Sequence, residues 1–134
     1  MFYFPYFCFV YSIESNNVTG TLPIELNQLL EIRFLILEKG GLSGSIPSEW
    51  GALTELLFID LDFNQVTGSI PDYIYTFTNM LQFDVNDNQM SGGISTDIGL
   101  LTDLVFLQMD KNNFSGPLPS ELGNLTNLRK YIFV

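Results

Sequence analysis

Residues 110–128 read DKNNFSGPLPSELGNLTNL. Two earlier stretches share its outline, KGGLSGSIPSEW at 39–50 and FNQVTGSIPDYI at 63–74. Aligned on the shared glycine, the chain places Gly20, Gly44, Gly68, Gly92 and Gly116 at intervals of 24 residues, with no insertion or deletion. A fixed period in this range marks a solenoid of stacked coils, none of which can bury its apolar face alone.

Apolar columns follow from this register. Nine before each glycine stand Tyr11, Leu35, Ile59, Phe83 and Leu107, and seven before stand Ile13, Leu37, Leu61, Val85 and Met109. This alternation predicts a short strand with one face buried. Further apolar columns lie twelve and two before the glycine, and two, six and nine after it. Four before it come Asn16, Asn64, Asn88 and Asn112, with Gly40 in the second copy. An asparagine amide there can satisfy backbone groups after the strand and pair with its copy in the next coil, so the ladder should be weakest at Gly40. The glycine itself suits a tight bend.

One repeat is therefore L-x-x-L-x-L-x-x-N-x-L-[ST]-G-x-[IL]-P followed by a second apolar half. Segments LSGSIPSEWGALTEL (42–56) and FSGPLPSELGNLTNL (114–128) carry it most fully. The pattern resembles the plant-type extracellular leucine-rich repeat over about residues 8–134. That resemblance implies a leucine-rich-repeat solenoid of the α/β type. It would have a parallel concave sheet of five to six strands, with short helical or irregular convex segments. We expect five repeats and the start of a sixth across 8–134, preceded by an apolar segment at 1–7 that is an improvised cap or a targeting remnant. The paired-cysteine caps usual in the family are missing, and Tyr131 and Phe133 fall in strand columns of a sixth copy, so a piece of a longer protein is expected.

Composition narrows function. The chain has 134 residues, a net charge of −10, five basic residues, no histidine and one cysteine, Cys8. Nucleic acid and anionic membranes are poor partners for such a chain. An internal disulfide, a Cys/His zinc site and a histidine base are all ruled out, and no cofactor is implied. No segment reads as a membrane span, and the aromatic N-terminus lacks the basic start of a signal peptide.

The strand residues between buried columns should face the concave side. They predict a surface that is acidic in one column and aromatic in another: Phe34, Glu38, Phe58, Asp60, Asp62, Phe63, Asp84, Asn86, Phe106 and Asp110. One reading is a solvated face that keeps the protein soluble. The other is a binding surface for a protein or peptide carrying Lys or Arg. The family resemblance supports the second, through receptor-like kinases, receptor-like proteins and polygalacturonase inhibitors that recognise partners on this face. It also implies an extracellular or cell-surface location. A structural scaffold without a small ligand is the alternative. A calcium site among Asp60, Asp62, Asp84, Asn86 and Asp87, ice binding by the hydroxyls that precede each glycine, and glycosidase-like chemistry by Asp60 and Asp84 are weaker readings. Three N-x-[ST] triplets, at Asn17, Asn113 and Asn124, are candidate glycosylation acceptors if the chain is secreted, with Asn113 expected near the rim of the concave face.

Overall fold

The computed structural model describes residues 9–12 and 18–132. Cys8, Asn16, Asn17, Phe133 and the apolar segment 1–7 lie outside them. Six strands line one side of the coils: β1 (Phe9–Ser12), β3 (Ile32–Ile36), β5 (Phe58–Asp60), β7 (Gln82–Asp84), β9 (Phe106–Gln108) and β11 (Lys130–Ile132). They form one parallel sheet in that order. Phe34 pairs with Phe58, Phe58 with Gln82 and Gln82 with Phe106, so equivalent residues stack directly.

A second parallel sheet holds β2 (Thr19–Thr21), β4 (Gly41–Ser45), β6 (Gln65–Gly68), β8 (Gln89–Gly92) and β10 (Asn113–Phe114). Expected there were only irregular or helical segments. Runs such as TGT and GLSGS score poorly as strands because glycine and serine have little to pack. Their pairing is supplied by the neighbouring coil, which no single repeat reveals. Each coil then closes through a five-residue 3-10 turn, at Ile24–Gln28, Ser48–Ala52, Asp72–Thr76, Thr96–Leu100 and Ser120–Asn124. Pro23, Pro47, Pro71 and Pro119 precede four of them with φ between −73° and −62°. Proline presets that angle and has no N–H to strand. Ser95 precedes the fourth turn and its hydroxyl accepts from the Asp97 N–H at 3.1 Å. This is the cap that a proline cannot make.

The apolar columns converge between the sheets and the 3-10 turns. Leu35, Ile59, Phe83 and Leu107 are all fully buried, as are Leu61, Val85 and Trp50. Trp50 donates its indole N–H to the Pro23 carbonyl at 3.0 Å, and the Tyr73 hydroxyl donates to the Pro47 carbonyl at 2.7 Å. Each ring thus fastens its coil to the preceding one while satisfying its own polar atom.

The asparagines do the same by a different route. Asn88 Nδ2 donates to the Leu61 carbonyl (2.8 Å) in the preceding coil and to Val85 and Asn86 in its own. Asn88 Oδ1 accepts from the Val66 N–H at 2.8 Å. Asn64 and Asn112 repeat the pattern. The amides bond to backbone rather than to each other, which corrects the expected pairing of copies. Each amide has two donors and one acceptor oxygen, and nearby main-chain groups use them all. Gly40 leaves this position empty in its own coil, and a Cβ there would sit 3.1 Å from Asn64 Oδ1.

All five repeat glycines have positive φ, from +78° to +118°. So do Lys39, Phe63, Asp87 and Lys111, at 51° to 55°. These four share the column five before the glycine, at the bend from the first sheet to the second. A left-handed turn is built into each of these four coils there, at about 1–2 kcal/mol for a non-glycine residue.

Candidate functional site

The first sheet exposes residues from β3, β5, β7 and β9 between its buried columns. The aromatic column begins with Phe34 and Phe58, whose rings stack at 4.6 Å and 20°. Both are half-buried because each covers the other. Of the three rings expected to stand exposed, only Phe106 does so, at 39%. Gln82 separates it from the stacked pair.

The acidic residues divide into two groups. Glu38, Asp60 and Asp62 each offer a carboxylate oxygen within 4.8 Å of the others. Burial and the neighbouring charge of Asp84 push Asp60 up to about 6. Burial, with Asp60 and Glu38 alongside, pushes Asp62 up to about 7. Asp62 Oδ1 is buried without a hydrogen-bond partner, as are Asn86 Oδ1 and Asp110 Oδ1 in the same column. Lys39 bonds Glu38 at 2.7 Å and so neutralises part of the cluster.

Asp84 differs. It is only 6% exposed, its Oδ1 accepts from the Asn86 N–H at 3.1 Å, and its Oδ2 accepts from Gln108 Nε2. Burial raises its pKa, opposed by these bonds. Its carboxylate therefore belongs to the sheet's internal wiring. Gln82 Nε2 reaches Asp60 Oδ2 in the same way at 3.2 Å. Asp60 and Asp84 stack directly on neighbouring strands, and each is bonded by one glutamine amide that offsets part of their repulsion.

Phe63 occupies the left-handed bend, 47% exposed. Lys111, two coils on, lies over its ring at 5.6 Å and bonds Asp87 at 2.8 Å. The sequence column containing Phe63 is therefore the rim of the first sheet and not its floor. Asn113 is exposed on β10 of the second sheet, two residues past the bend at Lys111. Asn124 is exposed at the end of the last 3-10 turn.

An open sheet of this kind can seat a chain lying across it. Glu38, Asp60 and Asp62 could give a metal three oxygens, against about six to eight for calcium. A lysine ammonium or arginine guanidinium needs fewer and would offset the burial and mutual repulsion that raise the pKa values of Asp60 and Asp62. The hydroxyl column serves the backbone where Ser43 Oγ donates to the Gly20 carbonyl at 3.1 Å. Among the described residues no helix is long and apolar enough to cross a membrane.

A Leucine Rich Repeat family profile matches residues 103–125. No curated protein sequence matches the chain. Solved structures do. The ectodomain of the receptor kinase SOBIR1 from Arabidopsis thaliana is 28% identical with a TM-score of 0.84, over 91% of this chain and 65% of its own length. The plant peptide hormone receptor RGFR1, in complex with RGF2, is 27% identical with a TM-score of 0.83, over 86% of this chain and 18% of its own. The ectodomain of the receptor kinase GASSHO1/SCHENGEN3 from Arabidopsis thaliana, in complex with CASPARIAN STRIP INTEGRITY FACTOR 2, is 37% identical with a TM-score of 0.82, over 85% of this chain and 14% of its own. The chain thus spans less than two thirds of each of these ectodomains. The 24-residue period, the two parallel sheets, the asparagine ladder and these likenesses together give the chain a leucine-rich-repeat solenoid fold, similar to that of plant receptor-kinase ectodomains.

Proposed function

We propose that the chain is a non-catalytic, extracellular recognition module that binds a peptide or protein across its first sheet. Its partner presents a lysine or arginine to Glu38, Asp60 and Asp62. The observation that carries this reading is the trio of carboxylates within 4.8 Å, bordered by the Phe34–Phe58 stack. Three acids held this close resist joint ionisation, so a cation among them is stabilised more than on an isolated carboxylate. The stacked rings give the partner apolar surface beside the charge, the mixture that dominates binding energy at protein interfaces. The peptide hormone receptor RGFR1, in complex with RGF2, and GASSHO1/SCHENGEN3, in complex with CASPARIAN STRIP INTEGRITY FACTOR 2, are similar in fold and support a peptide or protein as occupant.

The test is titration calorimetry with extended peptides that differ only in one arginine replaced by citrulline. Binding of the arginine form should weaken about ten-fold or more in a folded Asp60→Asn/Asp62→Asn chain, the scale of a lost charge-assisted pair. Equal binding by the variant, with an unchanged circular dichroism spectrum, would sink the proposal. Raising salt should slow association, because steering by an acidic face is screened.

A further inference from the structure

The open face of the first sheet carries three side-chain columns. Ten before each glycine, the coils from β3 to β9 read Phe34, Phe58, Gln82 and Phe106. Eight before they read Ile36, Asp60, Asp84 and Gln108, and six before they read Glu38, Asp62, Asn86 and Asp110. Successive columns lie about 6.7 Å apart, because side chains on one face of a strand recur every second residue. The two outer columns change together. A ring and an acid stand in the coils of β3, β5 and β9, whereas an amide fills both places in the coil of β7. These four strands are inner members of the sheet, each paired on both sides.

The coil of β7 is also the one whose acid is already tied down. Asp84 is buried, and its two oxygens accept from the Asn86 N–H and from Gln108. Asp62 and Asp110 differ, each keeping an Oδ1 without a partner. Two positions suited to a cation therefore flank a neutral one. The first is Glu38, Asp60 and Asp62 beside the Phe58 ring; the second is Asp110 beside the exposed Phe106 ring. Lys111 offsets Asp110 only from the rim, where its ammonium bonds Asp87 at 2.8 Å and lies over Phe63. Lys130 pairs with Phe106 from the next strand, so positive charge bounds the row there.

The two positions are two coils apart, because Phe58 pairs with Gln82 and Gln82 with Phe106. At the usual strand spacing that is about 9.6 Å. This length selects a backbone conformation for a chain lying along the row. A fully extended strand repeats its side chains on one face every two residues, about 6.7 Å, and overshoots at four. An α-helix returns to the same face after seven residues, about 10.5 Å. A polyproline II chain returns after three residues, about 9.3 Å, which matches within a few tenths of an ångström.

We propose that the partner is a polyproline II segment carrying two basic residues three apart, lying along the middle column across the coils of β3 to β9. The inference rests on the recognition reading above and adds its register. One basic side chain meets Glu38, Asp60 and Asp62; the other meets Asp110. Arginine suits both places better than lysine, because its planar group stacks on a ring while its fork reaches a carboxylate. The two residues between them are uncharged and lie over Gln82 and Asn86, whose amides can bond a backbone that makes no hydrogen bonds of its own.

The test is titration calorimetry of the full chain with synthetic serine- and glutamine-based peptides of one composition. They carry two arginines at a separation of two, three, four or seven residues, beside a single-arginine peptide. Separation three should bind about five-fold tighter than two or four, the upper end for a part-exposed ion pair. Proline at both intervening positions should tighten it further by presetting the conformation. Asp110→Asn, with an unchanged circular dichroism spectrum, should reduce the separation-three peptide to the affinity of the single-arginine one. Glu49→Gln, on a convex 3-10 turn, should leave it unchanged. Equal affinity at all separations, a best fit at seven, or indifference to Asp110→Asn overturns the register while single-arginine binding through Asp60 and Asp62 leaves recognition standing. If no arginine peptide binds, both readings fall.

Discussion

Replacing Asn88 by alanine tests the ladder at one of its two buried rungs. Four hydrogen bonds disappear, but their consequences differ. The Leu61 carbonyl keeps a partner in Asn64 Nδ2 at 3.0 Å, and the Val85 carbonyl keeps Asn112 Nδ2 at 2.8 Å. The Val66 N–H loses Asn88 Oδ1 and stays buried beside a fully buried side chain. One orphaned buried donor costs about 1–3 kcal/mol, and weakened bonds to three carbonyls add a fraction more. The expected loss is about 2–3 kcal/mol, or a fall in Tm of roughly 6–15 °C for a chain of this size. Trp50 is the only tryptophan and is fully buried, so its fluorescence follows urea unfolding, with Gln89→Ala on the exposed neighbour as control. Asn88→Asp separates the amide's two functions. It retains an acceptor for Val66 but turns a carboxylate oxygen toward three carbonyls, so it should be at least as damaging as alanine at neutral pH. If Asn88→Ala matched Gln89→Ala within about 0.5 kcal/mol, or Asn88→Asp were harmless, the ladder would not be a stabilising element.

Other expectations concern the carboxylates and the close contacts. Asp60 and Asp62 have folded pKa values raised to about 6 and about 7 from 3.8. Below the ordinary value of 3.8 both folded and unfolded chains hold these protons. Between about 4 and 7 the unfolded chain releases them first, so stability from this pair falls as pH rises through that window. The urea midpoint should thus drop between pH 5 and pH 7.5, and Asp60→Asn/Asp62→Asn should flatten the slope; an unaltered slope would count against the cluster. The same protons compete with a cationic partner, so arginine-peptide affinity should rise over that window, and calorimetry at both pH values reads it. Gly99→Ala would put a Cβ 2.8 Å from the Glu121 carbonyl and Cβ, whereas nothing lies within 4 Å of a Cβ on Gly123. Thermal melts should show the first losing about 1–3 kcal/mol and the second losing well under that.

The architecture was legible because a strict period turns one-dimensional spacing into columns, and columns into faces. The strands, the glycine bends and the buried positions from Leu35 to Leu107 all follow from that arithmetic. What spacing cannot supply is the identity of the neighbour one coil away. Asp84 looked equivalent to Asp60 in its column, yet Gln108 across the sheet ties its carboxylate inward. Phe34 and Phe58 looked like separate exposed rings, and in three dimensions they cover each other. Phe63 counts in the sequence among the concave-face strand residues, but β5 ends at Asp60 and Phe63 sits at the left-handed bend that follows. The second sheet escaped notice for a related reason: its strands are weak alone and exist through their partners. The trio Glu38, Asp60 and Asp62 was nameable from sequence as part of an acidic surface, while its compactness needed coordinates.

The missing amide at Gly40 has a mechanical consequence. Each asparagine acts as a rivet across two coils, joining a carbonyl and an N–H of one to the bend of the next. At Gly40 the seam toward Val18 lacks that rivet and is held by the Gly41 N–H to the Val18 carbonyl at 2.8 Å, by sheet pairing and by the Trp50 bond to Pro23. Pulled from its two ends, a solenoid loads its seams in series, and the weakest parts first. An optical-tweezers trace of this chain should therefore open with a low-force step in which the coil bearing β2 peels away, before the riveted coils from Leu42 onward yield together at higher force.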